Sequence, residues 1–314
     1  MRAAYAARIN PDDPLAGLEV GDLPEPNVPD DWVRVQVKAS SLNHHDLWSL
    51  RGVGLAEDRL PMILGCDAAG VDPQGRDVVV FPVVFDRAGR FSILSEQFPG
   101  TLAEQVAVPA GNLVPKPERL SYAEAACLPT AWLTAYRMLI TKGRVAAGDV
   151  VLVQGAGGGV ATAAIVIAKA LDATVYATSR DAGKRERAER LGAVALESGA
   201  RLPERAQVVI ETVGEATFEH SLKNLAYGGR VVVSGATSGH RPRVDLRRLF
   251  YFQQEILGAT MGSPEELAGL LQLCAERGVR PVIDSEYGFS EVREAFGRLA
   301  SGDVFGKVVV DHTR

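Results

Sequence analysis

A glycine-rich turn near the middle of the chain has the residue types and spacing that bind an anion. Residues 155–159 read Gly-Ala-Gly-Gly-Gly, and they follow an apolar run at 150–154 that predicts a buried strand. Residues 161–171 predict a helix with apolar residues on most faces, and residues 174–178 predict a second strand. Glycine lets the backbone approach a pyrophosphate closely, and the N–H groups of a first helical turn favour that anion. The order of strand, turn, helix and strand therefore predicts a dinucleotide-binding unit.

The loops after neighbouring strands supply further expected cofactor contacts. Residues 207–214 and 230–235 each predict a strand together with the loop that follows it. Ligands of an open parallel sheet bind beyond the carboxyl ends of its strands, so the turn and these loops are expected to line one cleft. The predicted contacts are Ala156, Gly157, Gly158, Gly159, Val160, Thr212, Val213, Gly214, Ser234, Gly235 and Ala236.

The end of the second strand indicates which dinucleotide binds. A site for NAD places Asp or Glu about 20 residues after the turn, where the carboxylate binds the ribose 2′-hydroxyl. Here Ser179 occupies that position and Arg180 follows it, with Lys184 on the next helix. A carboxylate repels a 2′-phosphate, whereas a small hydroxyl beside cations attracts it. The sequence therefore predicts NADP(H); the alternative is that residues 180–190 are only a solvated helix face.

Composition and charge indicate a soluble globular protein. The 314 residues suffice for two domains. A net charge of −5 gives no electrostatic reason to bind nucleic acid or an anionic membrane. No run of about 20 apolar residues predicts a transmembrane helix, and residues 1–5 resemble a first strand more than a signal peptide. Three widely spaced cysteines fit neither a disulfide framework nor a Cys-x-x-Cys zinc lobe. We therefore expect a cytoplasmic protein with no nucleic-acid or membrane partner.

Four other segments have clear local signals. Ser-x-x-Glu at residues 121–124 predicts a capping box that opens a helical stretch continuing through residue 141. Residues 255–260 predict a short strand at a sheet edge, and residues 86–100 predict a loop rich in Gly, Ser and charge. Ser290 is the predicted N-cap of a helix that ends near Ala300.

The chain contains five marker motifs: Ser-Leu-Asn-His-His-Asp at 41–46, Leu-Gly-Cys-Asp-Ala-Ala-Gly-Val at 64–71, Gly-Asp-Val at 148–150, the glycine turn at 155–161, and Gly-Lys-Val-Val-Val at 306–310. Taken together, these motifs resemble the medium-chain dehydrogenase/reductase superfamily in its zinc-free, quinone-oxidoreductase-like branch. The resemblance covers nearly the whole chain and implies an α/β fold. It implies a GroES-like β-rich catalytic domain at residues 1–125 and 262–314, and a Rossmann cofactor-binding domain at residues 126–261.

The resemblance also implies that the usual zinc ligands are missing. Zinc enzymes of this superfamily carry Cys where this chain has Asn43, His-Glu where it has Cys66 and Asp67, and a second Cys near Thr130. We therefore expect no zinc at the catalytic position, and none in a structural lobe. Oxidation of a simple alcohol then lacks its Lewis acid. Zinc-free relatives instead pass hydride from NADPH to a quinone or to a carbon–carbon double bond conjugated to a carbonyl, which is the predicted reaction.

Four residues outside the turn are candidates for that reaction. Asn43 and His45 lie in a polar segment leading into a short helix. Asn43 is expected to position or hydrogen bond at the reaction site. His45, which lies where zinc relatives carry a hydroxyl of the proton relay, is the candidate proton donor, because histidine exchanges protons near neutral pH. A structural role is the alternative for each. The resemblance adds Thr134 near the nicotinamide and Lys307 near the pyrophosphate.

Two other functions remain open from the residues. One is an alcohol dehydrogenase with an atypical zinc site that uses Cys66, Asp67 and His45. The other is a non-catalytic regulatory protein that binds NADPH. The resemblance also implies that the strand predicted at residues 255–260 pairs with a second copy of the chain, which gives a homodimer.

Overall fold

The structure is a computed structural model that describes residues 1–85 and 89–314. The described residues divide into two compact units. The first unit comprises residues 1–130, 263–275 and 283–314, and the second comprises residues 131–262 and 276–282. The domain boundaries at 126 and 261 stay predictions.

The strands of the described residues are numbered in chain order. They are β1 (Arg2–Ala6), β2 (Leu18–Asp22), β3 (Trp32–Ser41), β4 (Met62–Ile63), β5 (Asp67–Val71), β6 (Asp77–Val80), β7 (Val83–Phe85), β8 (Phe91–Ile93), β9 (Gln105–Pro109), β10 (Leu113–Pro115), β11 (Val150–Val153), β12 (Thr174–Ser179), β13 (Val194–Glu197), β14 (Ala206–Glu211), β15 (Leu225–Val233), β16 (Glu255–Gly258), β17 (Ile283–Gly288) and β18 (Lys307–Asp311).

The helices are numbered in the same way. The α-helices are α1 (His44–Leu50), α2 (Tyr122–Ala126), α3 (Leu133–Arg137), α4 (Gly159–Ala170), α5 (Ala182–Arg190), α6 (Glu215–Asn224), α7 (Leu246–Tyr251), α8 (Pro264–Arg277) and α9 (Val292–Ala300). Short 3₁₀ helices span Pro14–Gly17, Glu57–Arg59, Ala110–Asn112 and Phe289–Glu291, and π-helical segments span Leu128–Trp132 and Met138–Lys142. None of the described helices is long and apolar enough to cross a membrane.

The first unit is rich in β-structure. Its largest sheet has the strand order β10-β6-β5-β3-β18-β17, with β9 also paired to β3, and a smaller sheet has the order β2-β1-β4. The α9 helix buries Val292, Ala295, Phe296 and Leu299, which recur at the spacing of one helix face. These side chains join Val308 of β18 in one apolar core. Leu42, directly after β3, belongs to the same core, so both β18 and the segment after β3 are packed against α9 or its neighbours.

The second unit contains a six-stranded parallel sheet in the order β13-β12-β11-β14-β15-β16. Residues of β11 are buried throughout, as expected for a central strand covered on both faces. The β16 strand lies at one edge of the sheet, as the sequence predicted for residues 255–260. The strand–turn–helix–strand order around the glycine turn is confirmed, and with it the α/β class.

Of three local helix predictions, two are confirmed and one is wrong. The capping box is confirmed, because the Glu124 N–H donates to the Ser121 hydroxyl while the Ser121 N–H donates to the Glu124 carboxylate. The helical stretch that continues through residue 141 is also confirmed, with π-helical segments on both sides of α3. Ser290 is not an N-cap: it lies inside a 3₁₀ turn, and α9 begins at Val292.

The loop predicted at residues 86–100 is only partly a loop. Phe91–Ile93 forms β8, which pairs with β7 as an antiparallel hairpin. The polar composition of this segment concealed a strand of three residues, too short for its alternation to stand out. Residues 86–88 of the predicted loop lie outside the described part of the chain.

Candidate active site

The glycine turn of the second unit presents backbone donors towards open space. Gly155 and Gly157 have φ of 75° and 135°, a region that favours glycine. A Cβ added to Gly158 would meet no atom within 4 Å. The α4 helix begins at Gly159, so the N–H groups of residues 159–161 have no acceptor within the helix. A cradle with free N–H groups at a helix N-terminus fits a pyrophosphate.

The predicted cofactor loops of the second unit lie side by side. A Cβ built on Gly155 would lie 2.7 Å from Cγ2 of Val213, so the turn packs against the loop after β14. The N–H of Ser238 donates to the Val213 carbonyl at 2.7 Å, and a Cβ on Gly235 would lie 2.8 Å from the Thr212 carbonyl oxygen. The structure thus brings together the turn and the loops containing Thr212–Gly214 and Ser234–Ala236. Thr134 is buried in α3, which packs against α4 of the same unit.

The end of β12 is polar and cationic. Ser179 is 8 % exposed, and its hydroxyl accepts the N–H of Asp181 at 3.2 Å. The Arg185 guanidinium donates to the carbonyls of Ser179 and Arg180 at 2.8 and 3.1 Å. The Asp181 carboxylate caps α5 by accepting the N–H of Lys184 at 2.7 Å. The exposed Arg180 side chain is therefore a cation that lies next to Ser179 in the sequence and is accessible to solvent.

A buried cluster in the first unit joins residues that are far apart in sequence. The Lys307 ammonium donates to Asn43 Oδ1 at 2.6 Å, to the Leu42 carbonyl at 2.8 Å and to Asp67 Oδ2 at 3.1 Å. Lys307, Asp67 and Asn43 are 2 %, 0 % and 8 % exposed. The register explains the meeting, because Ser41 at the end of β3 is paired with Asp67 of β5 and with Val309 of β18.

This Lys307 cluster (Ser41, Leu42, Asn43, Asp67 and Lys307) uses nearly all of the hydrogen-bonding capacity of Asn43. The Asn43 amide nitrogen donates to Asp67 Oδ2 at 2.8 Å and lies 3.5 Å from the Ser41 carbonyl, while its oxygen accepts from Lys307. An amide nitrogen has two hydrogens. Both therefore point to groups of the protein, which favours a positioning role for Asn43 over a direct bond to substrate.

The hydrogen bonds of Lys307 go to groups of the protein, whereas its predicted role is contact with a cofactor pyrophosphate. An ammonium has three N–H groups, and the three acceptors named above account for all of them. Its nearest anion is the Asp67 carboxylate. Contact with a cofactor pyrophosphate stays a prediction, and the observed contacts give Lys307 a different role, which is to neutralise Asp67 and hold the Asn43 amide.

His45 is the more accessible candidate of the first unit. Its Nε2 atom lies 3.4 Å from the Ser49 hydroxyl, one turn along α1, and 3.9 Å from Oε1 of Glu96. The other oxygen of Glu96 accepts the Ile93 N–H at 3.2 Å. This contact fixes the carboxylate so that Oε1 faces the imidazole. The imidazole thus has an anion and a hydroxyl beside it, which suits a group that holds a proton.

Asp46 fixes the segment that carries both candidates. Its carboxylate accepts the N–H of Asn43 at 2.8 Å and the N–H of Gly65 at 3.0 Å. Burial raises the pKa of Asp46, and the charge of His45 and the bond from Asn43 oppose that rise. Asp46 therefore ties the start of α1 to the loop before β5.

Sequence reasoning missed the partners of its own candidates. Asp67 was considered in connection with a zinc site, yet it lies at the centre of the Lys307 cluster, and Glu96 was not singled out at all. Residues 86–100, which include Glu96, were predicted to be a loop rich in Gly, Ser and charge. No periodic signal connects residues 43, 67 and 307, because only the pairing of β3 with β5 and β18 brings them together.

Comparison with known proteins places this arrangement in a family. Residues 29–118 match the family described as alcohol dehydrogenase GroES-like domain, and residues 159–276 match the zinc-binding dehydrogenase family. The 2-methylene-furan-3-one reductase of Solanum lycopersicum is 32 % identical over 91 % of this chain and 73 % of its own. The quinone oxidoreductase of Mus musculus is 29 % identical over 86 % of each chain. A solved structure of an NAD-dependent alcohol dehydrogenase has a TM-score of 0.89 and 35 % identity over 99 % of both chains.

The chain belongs to the medium-chain dehydrogenase/reductase superfamily. The predicted fold class, with its GroES-like and Rossmann parts, is confirmed. The protein is accordingly an oxidoreductase of that type, and the glycine turn of its second unit fits the nicotinamide cofactor that such enzymes use.

The residues at the superfamily's catalytic zinc position do not form a usual ligand set. Burial raises the pKa of Cys66 well above its ordinary value, and its thiol donates to the Leu94 carbonyl at 3.4 Å. Zinc binds the thiolate, not the thiol. Asn43 is already bound to an ammonium, which repels a cation. Within residues 1–85 and 89–314, no group of three or more His, Cys, Asp or Glu side chains is placed to hold a metal ion.

Proposed function

We propose that this protein is an NADPH-dependent, zinc-independent oxidoreductase that transfers hydride to a quinone or to a carbon–carbon double bond conjugated to a carbonyl. The observation that carries the proposal is the contact of the Lys307 ammonium with Asn43 and Asp67. At the positions where zinc relatives carry ligands, this chain has an internal cation bound to an amide and a carboxylate. Chemistry that needs a Lewis acid to stabilise an alkoxide has no support from these residues.

The names of two relatives favour the same reaction. One relative is a reductase of 2-methylene-furan-3-one, whose double bond is conjugated to a carbonyl, and another is a quinone oxidoreductase. In both substrates an oxygen accepts electrons as hydride arrives at carbon. That step needs no metal ion, because the charge is delocalised onto the conjugated oxygen before a nearby donor protonates the product.

Ser179 and Arg180 support NADPH as the cofactor. The 2′-phosphate of NADPH carries negative charge that a guanidinium binds well. Arg180 is exposed beside Ser179, and the Asp181 carboxylate is engaged with the N-terminus of α5. No carboxylate therefore occupies the position that would bind an NAD ribose and repel the phosphate.

The roles of the protein side chains follow from their contacts. Bound NADPH supplies the hydride. His45 holds a proton at Nε2 for the carbon or oxygen that becomes electron-rich, and Glu96 and Ser49 orient its ring. Asn43 is held by Lys307 and Asp67, so it shapes the segment before α1 without itself donating to substrate. The product gains one hydride and one proton, and the double bond is lost.

The position of the transferred hydrogen tests this proposal. NADPH deuterated at the reacting carbon of the nicotinamide is mixed with protein and an enone, and the product is analysed by NMR. We expect deuterium on the carbon β to the carbonyl. Deuterium on the carbonyl carbon would show that the protein reduces carbonyls, as an alcohol dehydrogenase does, and would refute the proposal. Binding of NADPH without transfer to any acceptor would instead favour the non-catalytic alternative.

A solved structure supports the alcohol dehydrogenase alternative. The solved structure with 35 % identity over almost the whole chain is named an NAD-dependent alcohol dehydrogenase. Both its cofactor and its reaction differ from those proposed here. The labelling experiment is therefore repeated with deuterated NADH. The two experiments together distinguish an NADPH-dependent quinone or enone reductase from an NAD-dependent alcohol dehydrogenase.

We also propose a homodimer that forms along β16. This strand is at the sheet edge, Ile256 on it is 40 % exposed, and Tyr227, Phe250 and Tyr251 add exposed apolar surface in the same unit. Sedimentation at micromolar concentration should show a dimer, and Ile256→Lys should shift it to monomer. A monomeric wild type would contradict this assignment. The buried cysteines Cys66, Cys127 and Cys274 are not in disulfides, which favours the reducing cytoplasm as the location.

A further inference from the structure

A buried polar network in the second unit joins the ends of three adjacent strands. It contains Thr178 of β12, Gln154 directly after β11, Glu211 at the end of β14, and Ser221 of α6. The strands are neighbours in the order β12-β11-β14. All four side chains are buried. Polar groups withdrawn from water in this way need hydrogen bonds, and here they bind each other.

The bonds of the network run in one direction from Thr178 to Glu211. The Thr178 hydroxyl donates to Gln154 Oε1 at 2.6 Å, and Gln154 Nε2 donates to the Ser221 hydroxyl at 3.0 Å. The Ser221 hydroxyl then donates to Glu211 Oε2 at 2.6 Å. Each hydroxyl has one hydrogen, so no group in the network can exchange its donor and acceptor roles unless its neighbours do so too.

His220 fixes the orientation of the Gln154 amide. Gln154 Nε2 lies 2.8 Å from His220 Nδ1, and His220 Nε2 lies 2.8 Å from the Ala200 carbonyl. A carbonyl only accepts, so the imidazole hydrogen is on Nε2 and Nδ1 accepts from Gln154. Both hydrogens of the Gln154 amide nitrogen are thereby used, and its oxygen must face Thr178.

Glu211 is the point at which the network reaches a backbone loop. Its Oε1 accepts the N–H groups of Val213 and Gly214 at 2.8 and 3.0 Å, and the Thr217 hydroxyl donates to it at 2.9 Å. With Ser221, four donors surround a fully buried carboxylate. Hydrogen bonds to an ionised acceptor are stronger than neutral ones. The loop after β14 is therefore tightly held to its own strand end.

The other end of the network reaches the glycine turn. The Thr178 carbonyl accepts the N–H of Ala156 at 2.8 Å, and its hydroxyl lies 3.5 Å from the N–H of Gly155. Thr178 also immediately precedes Ser179. One set of buried bonds thus connects the turn, the position expected to face the 2′-phosphate, and the loop that contains Val213.

We propose that this polar network positions the dinucleotide, by fixing the spacing of the three backbone segments that follow β12, β11 and β14. The proposal rests on the assignment of the second unit as the NADPH site. In this role Thr178, Gln154, Ser221 and Glu211 are positioning residues, because they act through the loops and do not touch the cofactor themselves. The network explains why polar residues lie in strand ends that are otherwise apolar.

Variants of Thr178 test the proposal with little change in volume. Thr178→Val removes the hydroxyl and leaves Gln154 Oε1 without its donor, whereas Thr178→Ser keeps the hydroxyl and loses a methyl group. We expect Thr178→Val to raise the Kd for NADPH roughly tenfold, from the penalty of an unsatisfied buried group. Thr178→Ser should stay within about threefold of wild type. Glu211→Gln should weaken binding at least as much as Thr178→Val, since an amide cannot accept from all four donors.

Amide hydrogen exchange on the cofactor-free protein gives a readout that does not depend on binding. In Thr178→Val, exchange should rise at residues 155–161 and 212–216 and stay unchanged in the buried half of α4. The matched control is Tyr176→Phe, which removes the bond from Tyr176 to Glu204 on the same strand and outside the network. The control should keep wild-type NADPH affinity and wild-type exchange in these loops.

Two results would overturn the inference in different ways. If wild type binds NADPH and Thr178→Val binds it equally well with unchanged loop exchange, the network does not position the cofactor. If wild type binds neither NADPH nor NADH, the cofactor assignment itself is wrong. The positioning role is then also wrong, even if amide exchange in the loops changes in Thr178→Val.

Discussion

Removal of the Lys307 charge should destabilise the first unit strongly. In Lys307→Met the side chain keeps much of its length, but Asp67, Asn43 and the Leu42 carbonyl each lose a donor. Asp67 is fully buried, and its Oδ1 atom has no hydrogen-bond partner among the described residues. Breaking a buried ion pair from one side costs about 3–5 kcal/mol, because the remaining charge is stranded. We expect a loss in that range in the free energy of unfolding.

A double variant separates the stranded charge from the lost packing. The double variant Asp67→Asn/Lys307→Met leaves neither charge of the pair. Its loss in the free energy of unfolding should therefore be smaller than the sum of the losses in the two single variants, by roughly 1–3 kcal/mol. Arg34→Met is the control, since Arg34 pairs with Glu25 on the surface of the same unit and such pairs contribute about 0–1 kcal/mol.

Urea unfolding combined with amide exchange in β3, β5 and β18 measures these losses in the unit concerned. Exchange in these strands reports the first unit even if the second unfolds separately. A loss below about 1 kcal/mol for Lys307→Met, or additive losses in the double variant, would refute the reasoning that the ammonium balances a buried carboxylate.

Three further predictions concern single side chains. Arg180→Ala should weaken NADPH binding by roughly 10- to 100-fold through loss of a charge-assisted bond and leave NADH binding almost unchanged; equal weakening of both, seen by fluorescence titration, would contradict the 2′-phosphate role. His45→Gln should lower the rate of reduction by about 100-fold or more while NADPH affinity stays constant, and a near-normal rate would assign the proton to another group. Burial lowers the pKa of His312 to about 4, with only partial compensation from Asp311 and the Ala103 backbone. Its ring nitrogens are buried without a hydrogen bond of normal geometry among the described residues. The unfolded chain takes up this proton near the ordinary pKa of about 6.5, so stability falls as the pH drops from there towards 4; at about pH 5 the loss is ~2 kcal/mol. His312→Phe keeps a ring against Phe289 and should remove this part of the acid sensitivity of urea unfolding; an unchanged pH dependence would show that His312 is not its source.

The fold could be predicted from sequence because its signals are local. Apolar runs at 150–154 and 174–178 with glycines between them define the strand–turn–helix–strand order, and the structure has that order. The edge position of β16 also followed, since its run is short and comes last in the sheet. Ser290 failed as an N-cap because Glu291 accepts the Gly288 N–H and a 3₁₀ turn forms first.

The contacts of the candidate site could not be predicted in the same way. Asn43 and Lys307 were each predicted separately. They are 264 residues apart, and nothing in the sequence shows that they share a hydrogen bond. The polar network of the second unit was equally hidden, since Gln154 and Glu211 each look like the polar end of a buried strand. Both arrangements depend on strand register, which a one-dimensional pattern does not contain.

The most direct test of the account is turnover in a sample whose metal content is known. The protein is dialysed against chelator, its zinc is measured by mass spectrometry, and NADPH consumption is followed with a quinone and with an enone, with NADH in parallel. We predict steady consumption of NADPH by protein that holds far less than one zinc per chain, and slower consumption of NADH. Activity that disappears with chelator and returns with added zinc would contradict the central claim that this chain reduces its substrate without a metal.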